Sequence, residues 1–182
     1  SEPDLLTAMC NGELLLCNGD NDGDVSVTAN GGTGNYSYNW ESSSAPGTSI
    51  GTSSSISDLS AGTYNVTVTD VNGCTATCSA TVSEPNPLTV TCSGDLEVCE
   101  NATNLSYSAQ MGMSSYNWTI TGNGTISGDA TEQTVIVNAG IAGMFELTVT
   151  VTDANNCMAT CTRTVVVNSN PTAVPTGANQ VC

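Results

Sequence analysis

Apolar and polar residues alternate along most of this chain. DVSVTAN (Asp24 to Asn30), NYSYNW (Asn35 to Trp40) and TYNVTVTD (Thr63 to Asp70) place Val, Tyr and Trp on every second position, with Ser, Thr and Asn between them. A period of two puts the apolar set on one face of an extended strand and the polar set on the other. Gly, Asn and Asp bound these runs, as turn residues do. CTATCSATV follows the third run across Val71-Asn72-Gly73, and Asn-Gly between two strands predicts a hairpin whose turn residues both take positive φ. Asn155-Asn156 stands at the matching place further on. NAGIAGMFEL (Asn138 to Leu147) has a faint helical look, but two Gly residues inside it argue against a helix. The pattern gives about seven short strands per eighty residues, each apolar on one face, which predicts an all-β chain of immunoglobulin-like β-sandwiches.

The pattern also repeats. TVTDVNGCTATCSATV (Thr67 to Val82) returns as TVTDANNCMATCTRTV (Thr150 to Val165). Ser1-Glu2-Pro3 returns as Ser83-Glu84-Pro85, and Tyr38-Asn39-Trp40 as Tyr116-Asn117-Trp118. A period of about eighty residues predicts tandem modules over 1–83 and 84–168, with 169–182 opening a third. We read the chain as a segment of a longer array. Glu84-Pro85-Asn86-Pro87 predicts a stiff, end-to-end junction, because each Pro fixes its own φ and biases its predecessor to extended geometry.

Composition narrows the function. The chain has 17 acidic residues, one basic residue (Arg163) and no His, and charged residues make up 10%, against roughly 25% in an average soluble domain. It has no cationic surface for nucleic acid or anionic membranes. No apolar run approaches the roughly 20 residues of a membrane-spanning helix. The absence of His and Lys removes Ser-His-Asp and Cys-His catalysis, Schiff-base chemistry and phosphate-loop transfer. A carboxylate pair remains as the glycosidase option, but the acids lie mainly at turns of small modules. The chain therefore reads as a non-enzyme that needs no cofactor.

Nine cysteines in a weakly charged chain indicate an oxidising compartment. Cys74 with Cys78, and Cys157 with Cys161, have a spacing seen in zinc sites, but they lie in alternating Thr-rich strands with no His nearby. Each module has two cysteines near its start and two in its last strand. A forward link from Cys78 to Cys92 would demand a counterpart for Cys161, and Pro175 stands there. The expected pairs are therefore intramodular: Cys17–Cys74, Cys10–Cys78, Cys99–Cys157 and Cys92–Cys161. The crossed pairing within each module competes with this set. Cys182 is left for a partner outside the chain, or free.

Trp40 and Trp118, one per module on the third strand, are expected core centres, with Tyr64 and Phe145 beside them. LSAGTY (Leu59 to Tyr64) reads as the approach to a tyrosine corner. The second module has Phe145 there, which keeps the ring and drops the hydroxyl. Asp20, Asp22 and Asp24 in GDNDGDV are a candidate Ca²⁺ set, although Val25 and Gly31 occupy the EF-hand positions that require Gly and Glu. A solvated turn is the plainer reading. Tyr36, Tyr38, Tyr107 and Tyr116 are the aromatics left over for a sugar-stacking platform.

CNGDNDGDVSVTANGGTGNYSYNW, then ISDLSAGTYNVTVTDVNGCTAT and Ser-Glu-Pro, closely resemble the SprB repeat of very large surface adhesins from gliding Bacteroidota. That resemblance covers about Cys17 to Pro85. The second module, with YNWTITGNGTISG and ELTVTVTDANNC, is similar to a PKD-like domain of the same bacteria. It departs from the SprB pattern at the Gly-Gly-Thr-Gly loop and at Asn156. The family implies type IX secretion and display outside the cell, at the cell surface. Three functions follow as expectations. The first is a structural repeat of an adhesin, stalk or filament, with neighbouring repeats as partners and self-association into a fibre. The second is a glycan- or partner-binding module. The third is an accessory module of a secreted enzyme.

Overall fold

Strands that alternate in the sequence pair in space with their apolar faces inward. The computed structural model describes residues 3–171. The chain divides into two units, Ser1–Pro87 and Leu88–Cys182. Among the described residues every regular element is a strand.

Unit 1 contains β1 (Thr7–Gly12), β2 (Gly23–Asn30), β3 (Ser37–Ser42), β4 (Ser49–Gly51), β5 (Ser55–Leu59), β6 (Gly62–Thr69) and β7 (Thr75–Val82). One sheet runs β1-β2-β5 and the other β4-β3-β6-β7. Alternate residues of β2 and β6 are buried (Val25 and Val27; Tyr64, Val66 and Val68), and they enclose Trp40 with Leu15, Ala80 and Val82. The Trp40 indole N–H donates to the Ser53 carbonyl at 2.9 Å, so burying this ring leaves no donor unpaired. The Tyr64 hydroxyl donates to the Ser60 carbonyl at 2.8 Å, four residues upstream. That bond closes a tyrosine corner where the chain enters β6.

Unit 2 contains β8 (Cys92–Ser93), β9 (Glu97–Cys99), β10 (Leu105–Ala109), β11 (Ser115–Gly122), β12 (Gly124–Ile126), β13 (Thr134–Ala139), β14 (Gly143–Thr152) and β15 (Met158–Asn168). Its sheets run β12-β13-β10-β8 and β11-β14-β15-β9. The plan is that of unit 1 with two changes. The short extra strand β12 joins the opposite sheet from β4, and β9 adds a parallel edge to β15. Unit 1 keeps only a single parallel bridge there, Leu14 to Ser83. The core packs Trp118 and Phe145 with Tyr107, Leu147 and the valines of β13, β14 and β15. Phe145 meets the edge of Tyr107, with ring centroids 6.1 Å apart and planes at 83°, a favoured aromatic geometry. The faintly helical stretch Asn138 to Leu147 is the end of β13, a turn and the start of β14.

The unit boundary falls after Pro87, four residues beyond the position expected from the repeat. The Asn18 side chain donates to the Pro85 carbonyl at 3.1 Å, and the Gly19 N–H donates to the Glu84 carboxylate at 2.8 Å. These bonds tie the start of the junction to unit 1. Of the segment expected to open a third module, residues 172–182 lie outside the described residues, and Cys182 with them.

Candidate functional site

Each unit has two poles. One holds the turn between its last two long strands, and the other holds the segment that follows its first strand. The turn at the first pole is built the same way in both units. In unit 1 the Gly73 N–H donates to the Asp70 carbonyl and the Asp70 N–H to the Cys74 carbonyl, each at 3.0 Å. Gly73 alone of the Asn-Gly pair has positive φ, at 82°. The turn is therefore a type I turn closed by one left-handed residue, not the two-residue primed turn that Asn-Gly suggested. In unit 2 Asn156 takes the left-handed place at φ 66°, with matching bonds across Asp153 to Cys157. Asn tolerates that region better than most side chains, so the two sequences reach one geometry.

The carboxylate at the head of each turn holds it closed. Asp70 Oδ1 accepts the N–H groups of Asn72 at 2.9 Å and Cys74 at 2.8 Å. Asp153 Oδ1 accepts those of Asn155 at 2.8 Å and Cys157 at 2.9 Å. Asp70 also reaches sideways, its Oδ2 accepting the Thr33 N–H at 3.0 Å. It is the buried charged residue among those described. The Thr33 N–H, with those of Cys74 and Asn72, holds its carboxyl below the usual aspartate value against the opposing effect of burial. The Gly31-to-Gly34 loop is thereby fastened to the hairpin, and the Asn72 amide adds a bond to Thr33 Oγ1 at 2.8 Å. Asp70 and Asp153 stand at matching places in the two copies of the repeat, each followed four residues later by Cys74 or Cys157. Their identical spacing to the cysteine was the available signal.

The cysteines divide by position. Cys10 on β1 and Cys78 on β7 are bonded, with Cα atoms 5.8 Å apart, and Cys92 on β8 and Cys161 on β15 are bonded at 6.0 Å. Each bond joins the two sheets of its own sandwich. The expected Cys17–Cys74 bond is not made: the Cys74 thiol is free and exposed, while Cys17 is disulfide-bonded. Distance is the reason. Cys17 follows the Leu14–Ser83 bridge and adjoins Asn18, which holds Pro85, whereas Cys74 precedes the other end of β7. The length of β7 separates them by roughly 25 Å, far beyond the roughly 4.4–6.8 Å a disulfide spans between Cα atoms. The same argument removes Cys99–Cys157. Cys99 lies opposite Asn168 at one end of β15, and Cys157 precedes Met158 at the other, a separation of roughly 35 Å at strand rise. Cys99 and Cys157 are each disulfide-bonded.

The other candidates are placed as follows. Asp20 and Asp22 lie in the loop before β2, and Asp24 is on β2 itself. They do not converge, and no group of three or more acidic, His or Cys side chains arranged to hold a metal ion occurs among the described residues. Asp24 instead lines an open polar groove of about 300 Å³ with Glu13, Asn11 and Ser26. The tyrosines set aside for sugar stacking are otherwise engaged. Tyr107 is 1% exposed, the Tyr36 hydroxyl donates to the Gly31 carbonyl at 2.6 Å, and that of Tyr116 donates to the Gln110 carbonyl at 3.1 Å. Tyr38 is half-buried against the unit 1 core, and no aromatic side chain falls in the exposed class among the described residues.

Arg163, the single basic residue, is structural. Its guanidinium donates to the carbonyls of Cys92 and Gly94, clamping the β8 edge from β15. Gly94, at φ 141°, is required there because a Cβ would stand 2.2 Å from the Tyr107 ring. Nothing in the local sequence announces either role.

Residues 15–45 match the SprB repeat, and residues 85–167 match the PKD-like domain, in that order. The SprB match is shorter than the stretch from Cys17 to Pro85 that carried the resemblance. No curated protein matches the chain. Among solved structures, the fibronectin(III)-like modules of Clostridium thermocellum CbhA are 14% identical, with 89% of this chain and 94% of that one covered and a TM-score of 0.35. Domains 4–9 of the surface layer protein SbsC are 18% identical, with 94% and 31% covered and a TM-score of 0.37. Drosophila N-cadherin EC1-4 is 11% identical, with 89% and 49% covered and a TM-score of 0.38.

Proposed function

We propose that this chain, an SprB repeat followed by a PKD-like domain, is a tension-carrying repeat segment of a very large extracellular adhesin or surface filament. One observation carries the reading: two sandwiches in succession share one plan, down to the same carboxylate-held turn, and each is stapled sheet to sheet by its own disulfide. Such a module supplies length and resists extension, since a cross-linked loop cannot be drawn out. The family resemblance carries the finer part, which is export by type IX secretion and display on a gliding bacterium for attachment. Neighbouring repeats of the same chain are its first partners, and lateral association of chains into a fibre is consistent with the weakly charged Thr- and Asn-rich skin. The glycan-binding reading loses its support from stacking, because the aromatics are buried or half-buried in the described residues.

Single-molecule pulling tests the mechanical part. The Cys10–Cys78 bond locks 68 residues out of the extensible path. Reduction should therefore add roughly 230 Å of contour length to the unfolding of each unit, at the reach of an extended residue. Equal extension before and after reduction would overturn it. Electron microscopy of the full-length protein on cells tests the rest: thin surface fibres or appendages are expected, and a soluble enzyme carrying these modules as appendages would refute the reading.

A further inference from the structure

The last strand of each unit carries an open backbone edge at the same place. In unit 1 the Ser83 carbonyl accepts the Leu15 N–H and the Ser83 N–H donates to the Glu13 carbonyl, both on the side away from β6. Backbone groups of alternate residues in a strand point to the same side. The N–H and C=O groups of Thr75, Thr77, Ser79 and Thr81 therefore lie along that edge. The turn agrees, since the Cys74 carbonyl points the other way and accepts the Asp70 N–H. In unit 2 the Val166 N–H donates to the Leu96 carbonyl, and the Asn168 carbonyl accepts the Glu100 N–H. That places Met158, Thr160, Thr162 and Thr164 on the matching edge of β15.

Only the far end of each edge is covered. β9 pairs with β15 at Val166, Val167 and Asn168, and Gly12 backs onto Thr81, where a Cβ would stand 2.3 Å from the Thr81 carbonyl oxygen. Elsewhere no strand pairs with this edge of β7 or β15 among the described residues. The backbone groups of Thr75, Thr77 and Ser79 stay open in unit 1, and those of Met158, Thr160 and Thr162 in unit 2. Native sheets blunt such edges with short strands, bulges, Pro or charge. β4 has three residues and meets β3 across a register shift, and β5 meets β2 across another. The β11 edge is occupied at Trp118, whose N–H donates to the Ala130 carbonyl. By contrast TATCS (Thr75 to Ser79) and MATCT (Met158 to Thr162) carry no charge and no Pro, and their register with the neighbouring strand is unbroken.

A row of unpaired N–H and C=O groups is complementary to another extended strand. We propose that the last strand of each unit is a self-association edge, which pairs antiparallel with the last strand of a unit in a second copy of this chain. Repetition selects a copy over an unrelated strand. The open edge recurs at one position in both units, around Ala76-Thr77-Cys78 and Ala159-Thr160-Cys161. An array therefore presents one such edge per module, and another copy carries the same edges at the same intervals. Charge selects the place of contact: copies of net charge −16 repel, and these stretches bring no carboxylate to the meeting strands. In the pair, the central Thr77 or Thr160 stands opposite its counterpart, and Thr75 or Met158 opposite Ser79 or Thr162. Each open N–H then meets an open carbonyl of the other strand. The exposed Thr side chains lie side by side, a favourable cross-strand pair. This deepens the fibre reading above and rests on the chain being one segment of a repeat array.

Analytical ultracentrifugation of the full 182-residue chain over a concentration series tests it, with hydrogen exchange followed by NMR on the same samples. Reversible association is expected, and exchange at Thr75, Thr77, Ser79, Met158, Thr160 and Thr162 should slow as concentration rises. The Thr77→Pro/Thr160→Pro variant should lose the association and keep both unfolding transitions, because each Pro deletes an outward N–H and no bond to β6 or β14. Thr77→Lys/Thr160→Lys gives a second reading that does not depend on the Pro variant folding. It lowers the net charge and so weakens general repulsion, yet sets like charges opposite each other at the centre of the pair. Association should be lost there too. A wild-type monomer at millimolar concentration, association that survives the Lys variant, or slowed exchange confined to other residues would each overturn the proposal. None of those results would disturb the repeat reading, which microscopy decides separately.

Discussion

Removing the Cys10–Cys78 staple should separate the two sandwiches thermally. The bond spans 68 residues, and the loop-entropy relation gives about 4 kcal/mol for a loop of that length. Both sulfurs sit on half-buried residues at sheet edges: β1 ends one sheet of unit 1 and β7 ends the other. Paired Ala substitution therefore opens one side of the sandwich and leaves Trp40, Val66 and Val68 in place. A loss of about 4 kcal/mol lowers the midpoint by roughly 15–30 °C for a domain of this size. Differential scanning calorimetry of the full 182-residue chain, wild type against Cys10→Ala/Cys78→Ala, should show the unit 1 transition moved down and the unit 2 transition held. The matching Cys92→Ala/Cys161→Ala variant should do the reverse, with a similar magnitude, because its separation is 69. A shift below about 1 kcal/mol in either variant would refute the reasoning, since it would mean the unfolded ensemble is already confined without the bond.

Three further outcomes follow from single contacts. Tyr64→Phe removes the hydroxyl that reaches the Ser60 carbonyl and should cost unit 1 about 1 kcal/mol in urea denaturation, the ring packing being kept as in Phe145. Gly94→Ala drives a Cβ onto the Tyr107 ring at 2.2 Å from a backbone of φ 141°; a loss of about 2–3 kcal/mol in unit 2 is expected, and a neutral melt would refute the clash. Asp70 and Asp129 are both held below the usual aspartate value, Asp70 first by the Thr33 N–H and Asp129 first by the Thr131 hydroxyl. Folding thus favours their ionised forms. Their contribution is complete above the unfolded-state value and is lost as pH falls through the lower folded-state value. Stability should fall as pH drops through and below the ordinary aspartate range, and Asp70→Asn should flatten that limb for unit 1 in an acid titration followed by tryptophan fluorescence.

The sequence determined the elements, because strand faces are a local property. An alternation of Val and Thr in β6 or β14 fixes which side chains face inward before any partner is chosen, and a repeated alternation fixes a repeated module. Trp40 and Trp118 declared themselves by being large, apolar and placed on such a face. The Asn-Gly pair located its turn, although the bond from Gly73 to Asp70 and not the dipeptide decided the turn type.

Tertiary structure decided everything that depends on which end of a strand meets what. Cys17 and Cys74 look equivalent to Cys10 and Cys78 on a line of text, since spacing along the chain carries no distance in space. Pairing of β1 with β2, and of Ser83 with Leu14, puts Cys17 at one pole and Cys74 at the other. A strand of eight residues is too long for a disulfide to bridge. Cys10 and Cys78 meet only because β1 and β7 are edge strands of opposed sheets. Asp70 gained its role in the same way: its turn is local, but Thr33 reaches it only when the β2–β3 loop folds over the β6–β7 hairpin. Gly94 and Arg163 were silent in the sequence because what requires them, the ring of Tyr107 on β10 and two carbonyls of the β8 edge some seventy residues from Arg163, is brought up only by strand pairing and packing. Local chemistry wrote the strands, and the distances between strand ends, which exist only in the folded sandwich, chose the bonds.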